Sequence, residues 1–160
     1  PLPLIEGGDV ALDEVFKAVN KAAELLESDN QPRAILFETA LHGELLNLDE
    51  EDNKRHYAGG MSANRINAGL GMIISQLLEK VGKEKVAGLY TTGGDTMVNV
   101  CYQLGVECIE VMDYVIPQTD VGRLVGSKYS GLPVVGKGGL TGNDNTACDI
   151  VSRLFRESAR

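Results

Sequence analysis

Val86-Ala87-Gly88-Leu89-Tyr90-Thr91-Thr92-Gly93-Gly94-Asp95-Thr96-Met97, continuing through Val100, Cys101 and Leu104 to Gly105, reads as a strand, a glycine turn and a helix in direct succession. Val86 to Tyr90 is a short apolar run of the kind a buried strand needs. Met97, Val100, Cys101 and Leu104 recur at helical spacing, and Gly105 stands where a helix closes on a left-handed residue. In an open α/β sheet, ligands bind beyond the carboxyl ends of the strands, so this turn locates both the fold and a candidate site.

Downstream, Cys108 to Ile116 is rich in Val and Ile and predicts a strand. The glycine-punctuated region from Gly122 to Gly131 predicts a short hairpin, and Leu132-Pro133-Val134-Val135 a last strand. Asn143 or Asp144 is placed to cap a terminal helix carrying Ala147, Ile150, Val151 and Leu154. Upstream, Ile66, Leu70, Ile73, Ile74, Leu77, Leu78 and Val81 mark a long helix with Gly82 just past its end. Asp9 is placed to cap another, built on Leu12, Val15, Phe16, Val19, Ala22, Ala23 and Leu26. Pro32 precedes Ala34-Ile35-Leu36-Phe37, a further short strand, and the charged stretch from His42 to Gly60 reads as a solvated loop or short surface helix. The alternation predicts an α/β fold: a mostly parallel sheet with helices on both faces and a short antiparallel hairpin.

The chain of 160 residues, 43% hydrophobic, is long enough for one core, and residues 1–160 read as a single domain. Its formal charge of −8 repels a nucleic-acid backbone, so no nucleic-acid partner is expected. A small anion is still compatible, because backbone N–H groups and one lysine make a locally positive pocket. Cys101, Cys108 and Cys148 lack metal-ligand spacing and are odd in number, which points to a reducing cytoplasm. No apolar run approaches a membrane span, so no membrane partner is expected. The opening Pro1-Leu2-Pro3-Leu4-Ile5 reads as a piece of something larger.

Two turns carry candidate chemistry. In Gly93-Gly94-Asp95-Thr96 the glycines let a phosphate approach the backbone, and the helix behind points its free N–H groups and positive dipole end at that spot. Thr96 adds a hydroxyl, and Asp95 is the candidate for orienting Mg2+ through water. The competing reading makes Asp95 or Thr96 a helix N-cap and nothing more. The second turn, Gly136-Lys137-Gly138-Gly139-Leu140-Thr141-Gly142-Asn143-Asp144, sets a lysine among glycines before a helix. A lysine there serves as a point charge for terminal phosphates, although the order is not that of a Walker A loop. A surface hairpin with an incidental lysine competes with it. His42 and His56 flank the acidic run without metal-ligand spacing, and Asp49 to Asp52 lacks the alternating ligands of a calcium loop.

Gly93-Gly94-Asp95-Thr96 with Leu104-Gly105, then Val115-Ile116-Pro117, then Gly131-Leu132-Pro133-Val134-Val135, then Lys137-Gly138-Gly139 with Gly142 together resemble the four-carbon acid sugar kinase family, from about Ile66 to Leu154. The resemblance implies the nucleotide-binding C-terminal domain of a two-domain, ATP- and Mg2+-dependent kinase, whose N-terminal domain binds the sugar acid. It assigns nucleotide contacts to Gly93, Gly94, Asp95, Thr96, Lys137, Gly138, Gly139 and Gly142, with Lys137 stabilising phosphate and Asp95 on Mg2+. The general base is expected on the other domain, so this segment alone binds without turnover, and a homodimer is compatible. The chain departs from many relatives at Pro117-Gln118-Thr119-Asp120, where they carry Pro-Gly-Val-Pro, and at Gly136 and Gly138, where a Ser or Thr adjoins the lysine. The family's serine-containing nucleotide motif has no match here, so part of the adenosine site is expected upstream. A non-catalytic nucleotide- or anion-binding regulatory module is the alternative on the same scaffold. A dinucleotide oxidoreductase lacks its G-x-G-x-x-G element.

Overall fold

The computed structural model describes residues 1–43, 45–139 and 141–159. Leu140, inside the second glycine turn, lies outside the described residues. The elements run α1 (Leu2–Glu6), α2 (Gly8–Glu27), α3 (Leu48–Lys54), α4 (Met61–Val81), β1 (Leu89–Thr92), α5 (Gly94–Gln103), β2 (Cys108–Ile116), β3 (Thr119–Val125), β4 (Pro133–Lys137) and α6 (Thr146–Ser158).

The strands form one sheet in the order β1-β4-β3-β2. Only β1 and β4 pair in parallel; β2 with β3 and β3 with β4 are antiparallel, so the expectation of a mostly parallel sheet is corrected. The cause is the tight turn at Pro117-Gln118, which folds β3 straight back between β2 and β4. The hairpin therefore turns earlier than the Gly122–Gly131 region that predicted it.

Alternation along the strands assigns the two faces. Leu89, Leu124 and Val134 pack with Leu78 of α4 and Val100 and Leu104 of α5. Val121 and Val135 pack on the other side with Ile150 and Leu154 of α6, with Tyr90 against them. Helices thus cover both faces, and α2 adds a further layer by packing Val15 and Val19 against Ile73 of α4. α5 ends in a Schellman motif: Val106 donates to the Cys101 carbonyl and Gly105, at φ 64°, to that of Tyr102.

Three expectations change. Ala34 to Phe37 is extended but joins no strand; Ile35 and Phe37 are half-buried against α2 and α4 while Leu36 faces solvent. The acidic run is not merely solvated, because α3 buries Glu51 and Asp52. Asp52 accepts from the N–H groups of Gly60 and Ser62 at 2.7 Å each and so holds the start of α4. Ser62 first, then the N–H groups of Gly60 and Met61, hold its carboxyl below the ordinary range against the opposing effect of burial. Neither Asp9 nor Asp144 caps its helix by a side chain: Gly7 is the N-cap of α2 and Asn145 that of α6. Asn143 instead accepts from the Asn145 N–H at 2.9 Å and so shapes the turn before α6.

Candidate functional site

The two glycine turns meet. β1 and β4 are parallel neighbours that end level, with Thr92 paired to Lys137, and the Gly93 N–H donates to the Lys137 carbonyl at 3.0 Å. From those two strand ends α5 departs to one face of the sheet and α6 to the other. This is a switch point, where diverging helices leave a crevice outside the carboxyl ends of the strands.

On the α5 side the two glycines have different physical reasons. Gly93 has φ 93°, which favours glycine, and is the N-cap of α5. Gly94 is the first helical residue; a Cβ there would meet nothing within 4 Å, so what glycine leaves at that position is open space. The first backbone bond of the helix is Met97 N–H to the Gly93 carbonyl at 3.2 Å, so the N–H groups of Gly94, Asp95 and Thr96 have no partner within the helix. Asp95 is exposed at the first turn and caps nothing.

Thr96 is not an N-cap either. Its hydroxyl donates to Asn67 Oδ1 on α4 at 2.8 Å. Sequence reasoning missed Asn67, yet a signal exists. Asn67, Gly71 and Ser75 stand at i, i+4 and i+8 on α4, which makes one stripe on its surface. That stripe meets α5. A Cβ on Gly71 would lie 2.7 Å from the Asn99 carbonyl oxygen, and the Ser75 hydroxyl donates to the Gln103 carbonyl at 3.1 Å. The long helix α4 thereby fixes the N-terminal turn of α5.

On the β4 side, Lys137 closes the strand and its ammonium turns back into its own loop, donating to the carbonyls of Gly138 (2.6 Å), Thr141 (2.8 Å) and Gly139 (3.4 Å). Among the described residues no carboxylate pairs with it. A Cβ on Gly139 would meet nothing within 4 Å, while Gly142 at φ 103° packs against Thr146 at the start of α6. Gly136 lets Met97 of α5 sit on the strand: a Cβ there would lie 2.6 Å from its sulfur. All the sequence-predicted residues, Gly93 to Thr96 and Lys137, Gly138, Gly139 and Gly142, therefore belong to the turns that follow two adjacent strand ends.

Two cavities, of about 640 Å³ beside Tyr57 and Arg55 and about 270 Å³ beside Phe37 and Leu70, include no residue of the glycine turns. An extended polyphosphate needs convergent N–H donors and not enclosure. Unpaired N–H groups, space at Gly94 and Gly139 and a cation with no carboxylate partner fit a polyphosphate. Among the described residues no three His, Cys, Asp or Glu side chains gather to hold a metal. A Mg2+ ion here would take its ligands largely from phosphates, with Asp95 as the nearby candidate.

The model of a family described as a nucleotide-binding C-terminal domain matches residues 1–147. The chain is a nucleotide-binding C-terminal domain of the four-carbon acid sugar kinase family. It is 44% identical over 93 residues to a D-erythronate kinase of Heliobacterium modesticaldum, covering 58% of this chain and 21% of that protein. It is 30% identical over 144 residues to a D-threonate kinase of Salmonella typhimurium, covering 89% and 33%. Among solved structures, a domain of unknown function from Bordetella bronchiseptica, crystallised with citrate as a domain-swapped dimer, matches with TM-score 0.56 and 25% identity over 92% of this chain and 37% of that one. This kinase domain thus spans about a fifth to a third of the curated relatives it matches.

Proposed function

We propose that this domain binds MgATP across the β1/β4 switch point and serves a kinase that transfers the γ-phosphoryl group to a hydroxyl of a four-carbon acid sugar. The observation that carries the reading is the Thr92 to Lys137 pairing, which sets two glycine turns and two diverging helix N-termini around one crevice. When bound, ATP supplies the phosphoryl group and Mg2+ neutralises charge on its phosphates. The chain's own part is positioning and electrostatic: N–H groups of Gly94, Asp95 and Thr96 would hold one side of the polyphosphate, and Lys137, Gly138, Gly139 and Gly142 the other. Asp95 is the side chain that would hold the metal.

The sugar acid and the general base are assigned to a preceding domain, so residues 1–160 are the single nucleotide-binding unit of a two-domain enzyme. The names of the curated relatives support a substrate of the erythronate or threonate class. The large part of the curated relatives that this domain leaves uncovered supports the division, since it spans 21% of one and 33% of the other. The dimeric state of the solved relative supports a homodimer, and the three free thiols support the reducing cytoplasm. Calorimetric titration of the domain with MgATP and, separately, with NAD at millimolar concentration tests the reading. Weak MgATP binding without NAD binding is expected; NAD binding without ATP binding overturns it.

A further inference from the structure

We propose that Lys137 is a positioning residue, whose ammonium collects the carbonyls of its own loop and thereby turns that loop's N–H groups toward the crevice; the proposal rests on the nucleotide reading above. An ammonium has three hydrogens to donate. Here three carbonyls receive them, from Gly138, Gly139 and Thr141. The ammonium has no donor left for a phosphate oxygen unless it releases a carbonyl.

A planar trans peptide points its C=O and the following N–H in opposite directions. Drawing the Gly138 carbonyl inward therefore turns the Gly139 N–H outward, and drawing in the Thr141 carbonyl does the same for Gly142. Neither N–H meets a backbone or side-chain acceptor among the described residues. Thr141 tightens the loop further, its hydroxyl donating to the Gly138 carbonyl at 3.1 Å. Successive outward N–H groups make a concavity suited to an anion. Its neighbours in the sheet are uncharged, Thr92 on β1 and Thr119 on β3. Lys137 thus acts on a phosphate through the loop it shapes and through space, with the backbone as the contacting donor.

Lys137→Met tests this, because it keeps the length of the side chain and removes the ammonium. Amide spectra and hydrogen exchange of the domain are recorded first without nucleotide, for wild type and variant, in ammonium chloride and in tetramethylammonium chloride of equal ionic strength. The variant is expected to shift the amides of Gly138, Gly139, Thr141 and Gly142 and to deprotect that of Thr141, whose N–H donates to the Gly138 carbonyl, while α4 and β3 stay unchanged. Ammonium, which can refill the carbonyl cage, restores the loop; tetramethylammonium, which has no hydrogen to donate, does not. MgATP affinity should follow the same pattern, falling at least tenfold and recovering several-fold in ammonium only. Loop amides of the nucleotide-free variant that match wild type, or a perturbed loop that ammonium fails to restore, overturn the proposal. Failure of the wild type to bind MgATP would overturn the nucleotide reading instead, and the nucleotide-free spectra would still decide the role of the ammonium.

Discussion

Gly94→Val separates a glycine kept for space from a glycine kept for conformation. Gly94 is the first residue of α5, is exposed, and has no atom within 4 Å of an added Cβ. Valine is no worse than glycine in a helix, so the fold should change by no more than about 0.5 kcal/mol, or about 2 °C in melting temperature. The ligand meets a different situation. A phosphate oxygen accepting from the Gly94 N–H sits about 2.9 Å from the nitrogen, and branched methyls beside that N–H occupy its approach. Loss of one hydrogen bond to a charged group corresponds to about 1.5–3 kcal/mol, or roughly ten- to a hundredfold in Kd for MgATP.

The neighbouring glycine supplies the contrast. Gly93 lies at φ 93°, so Gly93→Ala should cost about 1–2 kcal/mol in stability through backbone strain, whatever happens to binding. Thermal melts and calorimetric titration of both variants form the assay. A folded Gly94→Val protein with wild-type MgATP affinity would refute the reasoning, and the turn would then be only a connection between β1 and α5.

Gly71→Ala places a Cβ 2.7 Å from the Asn99 carbonyl oxygen, a backbone atom that only a shift of α5 can relieve. Overpacking of about 1–3 kcal/mol against a helix-propensity gain of about 1 kcal/mol predicts a net loss, read as a lower melting temperature; an unchanged or raised one would show that α4 and α5 separate freely. Gln118 holds φ 62° in the β2–β3 turn, so Gln118→Gly should stabilise by about 0.5–1 kcal/mol in denaturant unfolding. Asp52, held by Ser62, and Glu51, held by Lys54 and then Arg55, both have carboxyls below their ordinary values. Their contribution is therefore complete above the unfolded carboxylate pKa of about 4 and fades as pH falls through the lower folded values. Stability should drop on acidification below about pH 4, and the drop should be shallower in Asp52→Asn; an acid limb as steep as wild type would discount that carboxylate.

The helices and the strands at the site were legible because each carries its own period. α4 shows apolar residues at helical spacing up to Gly82, and α5 ends at Gly105 because a Schellman motif needs a left-handed residue there. Strand direction is a different kind of information. The β1-α5-β2 stretch reads as a crossover between like-directed strands, but whether β3 folds back to be inserted, with β4, between them depends on the turn at Pro117-Gln118. Glutamine at a left-handed position conceals that turn, since glycine or asparagine is the usual marker. Ala34 to Phe37 failed for a related reason. Its alternation of buried and exposed side chains is that of a strand, but a strand also needs a partner, and no local pattern specifies one.

At the site, residue types were legible and their partners were not. Gly93, Gly94 and the lysine loop declare themselves because only such residues let a backbone approach a phosphate. The direction of the Lys137 side chain depends on where three carbonyls fall after the chain turns, which the letters Gly-Lys-Gly-Gly do not encode. The same holds for Thr96, whose position at the third residue of α5 suits a cap, yet whose hydroxyl goes to Asn67, 29 residues upstream. Both outcomes bear on function in one direction. Thr96 and Lys137 use their side-chain polar atoms to hold the two turns in place, so on the nucleotide reading the groups left to meet an anion are main-chain N–H groups at Gly94, Asp95, Thr96, Gly139 and Gly142. A site built that way should tolerate side-chain changes that keep the turns in place, and should fail wherever a side chain is added into the crevice itself.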